Sequence, residues 1–168
     1  MVDSMRLKIL FSCLVLSLMA VPVEAISKTQ ENAIKDHCAA MQESLRSVQK
    51  SDARTRVYLG SRYETILNQF VTPLNMRLVE NNMSTVELIE SQNNLANTRT
   101  KFTNDYIEYQ QKLEELVAVD CKKAPGEFYD KLAEVRKGRK KVEQDTQKMR
   151  KLIDEYKQLV VKLKGGLK

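Results

Sequence analysis

Three cysteines and one histidine offer the widest chemistry in this 168-residue chain: Cys13, His37, Cys38 and Cys121. A histidine beside a cysteine can bind a metal or hold an activated thiolate. His37-Cys38 lacks the further ligands that a structural zinc site requires, and adjacent helix positions do not share a face. His37 therefore reads as a solvated or packed side chain next to a structural cysteine. Carboxylates are plentiful but scattered. Glu114-Glu115 and Asp154-Glu155 are sequential pairs pointing in different directions, whereas acid–base catalysis needs groups that converge on one bond. The sequence has no glycine-rich phosphate loop, nucleophile elbow or metal-ligand cluster. The expectation is a protein that is not an enzyme, with no catalytic, cofactor-binding or metal residues to assign and no cofactor.

The basic residues carry the other candidate chemistry. Arg136-Lys137-Gly138-Arg139-Lys140-Lys141 is the densest run, with Lys131 before it and Lys148, Arg150 and Lys151 after it. Together these cations form a candidate site for an anionic partner, such as lipid head groups, cell-wall polymer or an acidic protein surface. Nucleic acid is the least expected of the anionic partners. The competing reading is a solvated helix face whose charges pair with Glu134, Glu143 and Asp145. Charge is uneven along the chain. From Lys122 onward fifteen Lys/Arg face seven Asp/Glu, whereas Ile26 to Cys121 has eleven against thirteen. Any electrostatic attraction must therefore come from the last third.

The compartment is read from the first residues. Arg6 and Lys8 make a short positive segment, Ile9 to Ala20 is an apolar run, and Pro22 breaks it. Val23-Glu24-Ala25 then offers the small-residue pattern of a signal-peptidase site. The run is shorter than the ~20 residues a membrane-spanning helix needs. Residues 1–25 are thus expected to be a cleaved leader, and residues 26–168 a single domain with no transmembrane anchor. The protein is expected outside the cytoplasm, secreted or in the periplasm and cell envelope. There Cys38 and Cys121, the cysteines left once Cys13 is removed, can pair; two free thiols are the alternative.

Long helices must position these groups. Ser27 and Gln30 form a capping box, followed by apolar residues at Ile34, Cys38, Met41, Leu45, Val48, Leu59, Tyr63, Ile66, Phe70, Leu74 and Leu78. Asp52 and Thr55 interrupt this stripe, and Thr72-Pro73 offers a cap or kink. Asn81-Asn82-Met83 reads as a turn, and Ser84 with Glu87 as a second capping box. The next stripe is Leu88, Gln92, Leu95, Arg99, Phe102, Tyr106, Tyr109, Leu113 and Leu116, at the 3.5-residue spacing of coiled-coil packing. After Lys122–Gly126 the third stripe runs Phe128, Leu132, Val135, Arg139, Val142, Thr146, Met149, Ile153, Tyr156, Val160 and Leu163. The spacing predicts an all-α, elongated three-helix antiparallel bundle with helices near 27–80, 85–121 and 126–163. Folding at Asn82 brings Cys121 within about two turns of Cys38.

The stretch Arg77 to Leu116, with Ser84-Thr85-Val86-Glu87-Leu88-Ile89-Glu90-Ser91-Gln92-Asn93-Asn94-Leu95, resembles the helical hairpins of TolC-type outer-membrane efflux factors. Those repeats carry a turn, a Ser/Thr, an acidic-Leu pair and a downstream Gln and Leu. Here asparagine replaces their turn glycine, and the chain has no room for their barrel strands. What the resemblance implies is the helical hairpin, and no efflux function is carried over. In overall character the chain also looks like Skp-type periplasmic chaperones: small, basic, secreted and helical. The leading functional expectation is a non-catalytic interaction or scaffold protein of the cell envelope, binding a protein partner or itself through exposed helical seams. A holdase for secreted clients, and attachment to anionic lipid or wall polymer through the third helix, are the alternatives.

Overall fold

The computed structural model describes residues 26–83 and 85–166. The expected leader with Cys13, and the Ser84 half of the expected second capping box, lie outside the described residues. Ser27 opens the first arm as a capping box: its backbone N–H donates to Gln30 Oε1 (2.9 Å), and Gln30 N–H donates to Ser27 Oγ (3.3 Å). Helix α1 then runs Lys28–Thr65 without a break at Asp52. It passes through a π-helical turn, Ile66–Val71, into α2, Thr72–Glu80. Helix α3 spans Val86–Ala118 and α4 spans Pro125–Gly166. No strand occurs among the described residues. The fold is an all-α bundle in which the first arm and α3 run antiparallel, as do α3 and α4. At 42 residues, α4 is about 63 Å long.

The π turn has a local cause and a global effect. Pro73 lacks an N–H and its ring would press on the carbonyl one turn earlier in a regular α-helix. Widening the preceding turn relieves that contact, and Thr72 N–H reaches back to Leu67 O. The extra residue rotates everything after it by one helical position. The stripe expected at Ile66, Phe70 and Leu74 is therefore corrected: Leu67, Val71 and Asn75 are buried instead, and Phe70 is 63% exposed.

Both connections are built from local hydrogen bonds. Asn82 sits at φ 55°, the left-handed conformation that asparagine tolerates. Met83 N–H then donates to Leu78 O and Asn82 N–H to Val79 O, which satisfies the carbonyls at the end of α2 in a Schellman arrangement. At the opposite end the Asp120 carboxylate accepts from the N–H groups of Lys122 and Lys123. These backbone donors, Lys123 first, hold its carboxyl below the usual range. Pro125 then opens α4, where a missing N–H costs nothing.

The core is divided in two. One cluster, centred on Tyr106, Tyr109, Leu113, Leu116 and Phe128, surrounds the cysteine end. The other, centred on Tyr63, Leu67, Leu95, Phe102 and Met149, fills the half towards Asn82. Between them α1 buries nothing completely from Ala39 to Arg62. Gly138 lies against Tyr109; a Cβ there would sit 3.4 Å from Tyr109 Cα and Cβ, so a side chain larger than alanine would push α3 and α4 apart.

Candidate functional site

Cys38 and Cys121 are joined by a disulfide, with Cα atoms 5.6 Å apart, and it ties α1 to the turn after α3. His37 is exposed beside it. Gln42 Nε2 adds a bond to Val119 O (2.9 Å), so covalent and polar links coincide at this end.

The nine basic residues divide into two groups. Lys131 pairs with Glu115 (2.8 Å), Arg139 with Asp52 (3.1 Å), Lys141 with Glu108 (3.4 Å) and Lys151 with Glu155 (3.6 Å). Glu134 and Asp145, expected to neutralise α4 from within, instead face Lys112 and Lys101 of α3. Arg136, Lys137, Lys140, Lys148 and Arg150 have no ion-pair partner among the described residues. At roughly 100° per residue, Lys137, Lys140 and Lys148 share the outward face of α4 with Gln144 and Gln147, and Arg136 lies at its edge beside His37 and Met41 of α1. That face lies opposite Val135, Gly138, Asp145 and Met149, which are buried. Arg150 lies at its edge, towards α1.

The charged residues in the three stripes act across helices, whereas Thr55 and Thr146 donate to carbonyls of their own helices. Asp52 of α1 accepts from the Tyr109 hydroxyl of α3 (2.7 Å) and from Arg139 Nη2 of α4 (3.1 Å), so one carboxylate registers all three helices. Burial, and then the Asp52 hydrogen bond, push the Tyr109 hydroxyl well above the usual phenol range. Arg56 stacks its guanidinium 5.2 Å above the Tyr106 ring. Arg99, the remaining charged interruption, pairs with Glu64 of α1.

The apolar stripes indicated none of the five buried polar residues, Asn75, Thr85, Ser91, Thr98 and Asp145, and two of these take part in side-chain networks between helices. Asn75 donates to Leu88 O (3.1 Å) and Gln92 Oε1 (2.7 Å), and accepts from the Tyr156 hydroxyl (2.7 Å). Only the π turn brings it inward; a stripe drawn through Leu74 cannot find it. Asp145 is the second. Its Oδ1 accepts from Lys101 Nζ (2.8 Å), which also donates to Asp105 (2.5 Å), while its Oδ2 is buried without a partner. Burial foremost, and then the neighbouring Asp105, hold the Asp145 carboxyl above its ordinary 3.8.

Asp145→Asn is accordingly expected to stabilise the fold at pH 7 by about 1 kcal/mol, since no charge need then be desolvated. Because the folded carboxyl binds its proton more readily than the unfolded one, the wild type regains stability as pH falls from that raised value towards 3.8. The advantage of the variant should shrink over this window. Melting both proteins at pH 7 and pH 4 checks the sign; a pH-independent difference would contradict it.

Helices α1 and α4 run parallel but leave a seam open between them. Four cavities follow one another along it. The first, about 360 Å³, lies among His37, Met41, Leu45, Phe128 and Leu132. The second, about 350 Å³, is lined by Asp52, Arg56, Tyr106, Arg139 and Arg150. A third of about 350 Å³ includes Tyr58, Arg62 and Ile153. The last and largest, about 650 Å³, is lined by Ile66, Phe70, Leu74, Leu95, Tyr156 and Val161 among others. The expected anionic site is thus split: Lys137, Lys140 and Lys148 occupy the outer face of α4, whereas Arg136, Arg139 and Arg150 line the concave surface that faces α1, together with apolar residues the charge pattern did not indicate. Among the described residues no group of three or more His, Cys, Asp or Glu is arranged to hold a metal ion, and no helix is long and apolar enough to cross a membrane. No protein-family profile, curated protein or solved structure matches the chain.

Proposed function

We propose that this chain is a non-catalytic helical interaction protein of the extracytoplasmic space, holding a protein partner or a second copy in the open seam between α1 and α4. The observation that carries the reading is the row of four cavities, ending in the apolar one beside Phe70 and Val161. The disulfide supports the compartment, because such bonds persist where glutathione and thioredoxin do not reduce them. The reading is tested by placing a photo-crosslinking amino acid at Phe70 in the full-length gene and fractionating cells after irradiation. One discrete adduct in the envelope fraction supports it. A broad spread of adducts moves the assignment to a holdase, and adducts confined to the cytoplasm reject it.

The outward face of α4 favours a second reading, attachment to an anionic surface. Lys137, Lys140 and Lys148 need no internal partner, so their charge is free for one outside. Each lysine near an anionic bilayer contributes about 1 kcal/mol. Changing all three to glutamine is expected to weaken binding to phosphatidylglycerol vesicles roughly 100-fold, with the helical circular dichroism unchanged. Lys141 is left out because Glu108 already engages it. The binding should also fall as salt rises, since charges are screened beyond about 8–10 Å at physiological ionic strength. Vesicle binding that survives the triple substitution would reduce the cluster to a solvated face.

A further inference from the structure

We infer that the α1–α4 seam takes an amphipathic helix of a partner protein, apolar on one face and flanked by carboxylates. This rests on the interaction reading above and adds the chemistry of the partner. A bundle of three helices with an open seam between two parallel members offers the position of a fourth helix. From Asp52 of α1 to Leu74 of α2 the three upper cavities follow the first arm without leaving the seam, a length of about 33 Å. That length suits a helix of about six turns, and a compact ligand would occupy only one cavity. Helix-in-groove recognition uses apolar anchors at i, i+3, i+4 and i+7, and the floor supplies Leu59, Ile66, Leu74, Ile153 and Val160 to receive them. At the lips Phe70 and Val161 are 63% and 64% exposed, large apolar side chains that an occupant would cover.

Charge selects the flanks. Asp52 is matched by Arg139 and Asp154 by Lys157. Of the remaining charged residues lining these cavities, Arg56, Arg62 and Arg150 face Glu143 alone. Arg62 donates only to the Tyr58 hydroxyl (3.3 Å), and none of the three arginines has an ion-pair partner among the described residues. An apolar floor under an arginine rim is complementary to leucines bordered by glutamates.

The test uses residues 26–168 in oxidised form and two fluorescein-labelled 22-residue peptides. Both carry leucine at every a and d heptad position; one has glutamate at e and g, the other lysine. Fluorescence anisotropy should show the glutamate peptide binding at least tenfold more tightly. Phe70→Ser with Val161→Ser should weaken it at least tenfold without altering the melting temperature, since both side chains are already largely exposed. Arg62→Glu with Arg150→Glu should reverse the preference between the peptides. Equal affinity for both peptides, or binding that survives the Phe70 and Val161 substitutions, overturns the inference. So does sedimentation as a dimer that the same two substitutions dissociate, which would give the seam to a second copy. If the envelope crosslink at Phe70 captures a discrete partner and neither peptide binds, the interaction reading stands and the acidic-helix inference alone fails.

Discussion

Replacing both Cys38 and Cys121 with serine will lower the unfolding free energy by about 4.5 kcal/mol, the chain-entropy expectation for a loop closed across 83 positions. The pair is expected to be this costly because α1 is otherwise weakly held at that end. Ile34 and Cys38 are its only buried side chains before Tyr63, and Gln42 supplies one further bond, to the turn after α3. Urea denaturation of the oxidised protein, the reduced protein and the double variant provides the check. Reduced wild type and variant should coincide, both well below the oxidised chain. If all three unfold at the same urea concentration, the disulfide adds nothing and the first arm is held by packing alone.

Phe102→Ala should cost about 3–5 kcal/mol, the usual range for removing a fully packed aromatic. Its ring is 2% exposed, packs edge-on to Tyr63 at 5.7 Å, and is followed by Tyr106 at 6.4 Å. Tyr109 continues the row at 5.9 Å, so the aromatic chain joins the two core clusters. Phe70→Ala, by contrast, should change stability by no more than about 0.5 kcal/mol, as surface substitutions do. The heptad pattern assigns both phenylalanines to the seam, and only the π turn separates them. Chemical denaturation of the two variants therefore tests the register shift directly. Comparable losses would return Phe70 to the core and remove the π turn from the account.

The contrast shows what the sequence could and could not convey. The period of the apolar residues was sufficient for the all-α class and for the order of the helices, because α3 keeps its stripe in phase from Leu88 to Leu116, with Ser91 and Thr98 buried where the pattern put Gln92 and Arg99. A one-residue phase shift leaves no such trace. Ile66, Phe70 and Leu74 are as apolar as Leu67 and Val71, so either row satisfies the pattern, and the choice is made by Pro73 acting on the turn before it. Asp145 was hidden for a related reason. Its charge placed it with the solvated residues, and its burial depends on Lys101 reaching across from α3. The basic cluster was legible as a set of residues but not as a surface. Its division into engaged and free cations is decided by the acids on α1, α3 and α4 that meet each one. The seam between α1 and α4 was least legible of all, since an open interface and a closed one use the same residue types.

The two core clusters give the molecule unequal ends. The cysteine end keeps its helices at high local concentration even when its packing loosens, whereas at the end by Asn82 α4 is held to the other two by side chains alone. Spontaneous opening should start at the uncrosslinked end, and amide exchange there should sample openings that leave the crosslinked half closed. The largest cavity is in that same labile half. A ligand that binds only the closed form adds RT ln(1 + [L]/Kd) to its stability, about 2.7 kcal/mol at a hundred times its dissociation constant. The concentration of whatever fills the seam would then govern how long the unsecured half stays shut, and with it how long the chain resists proteases.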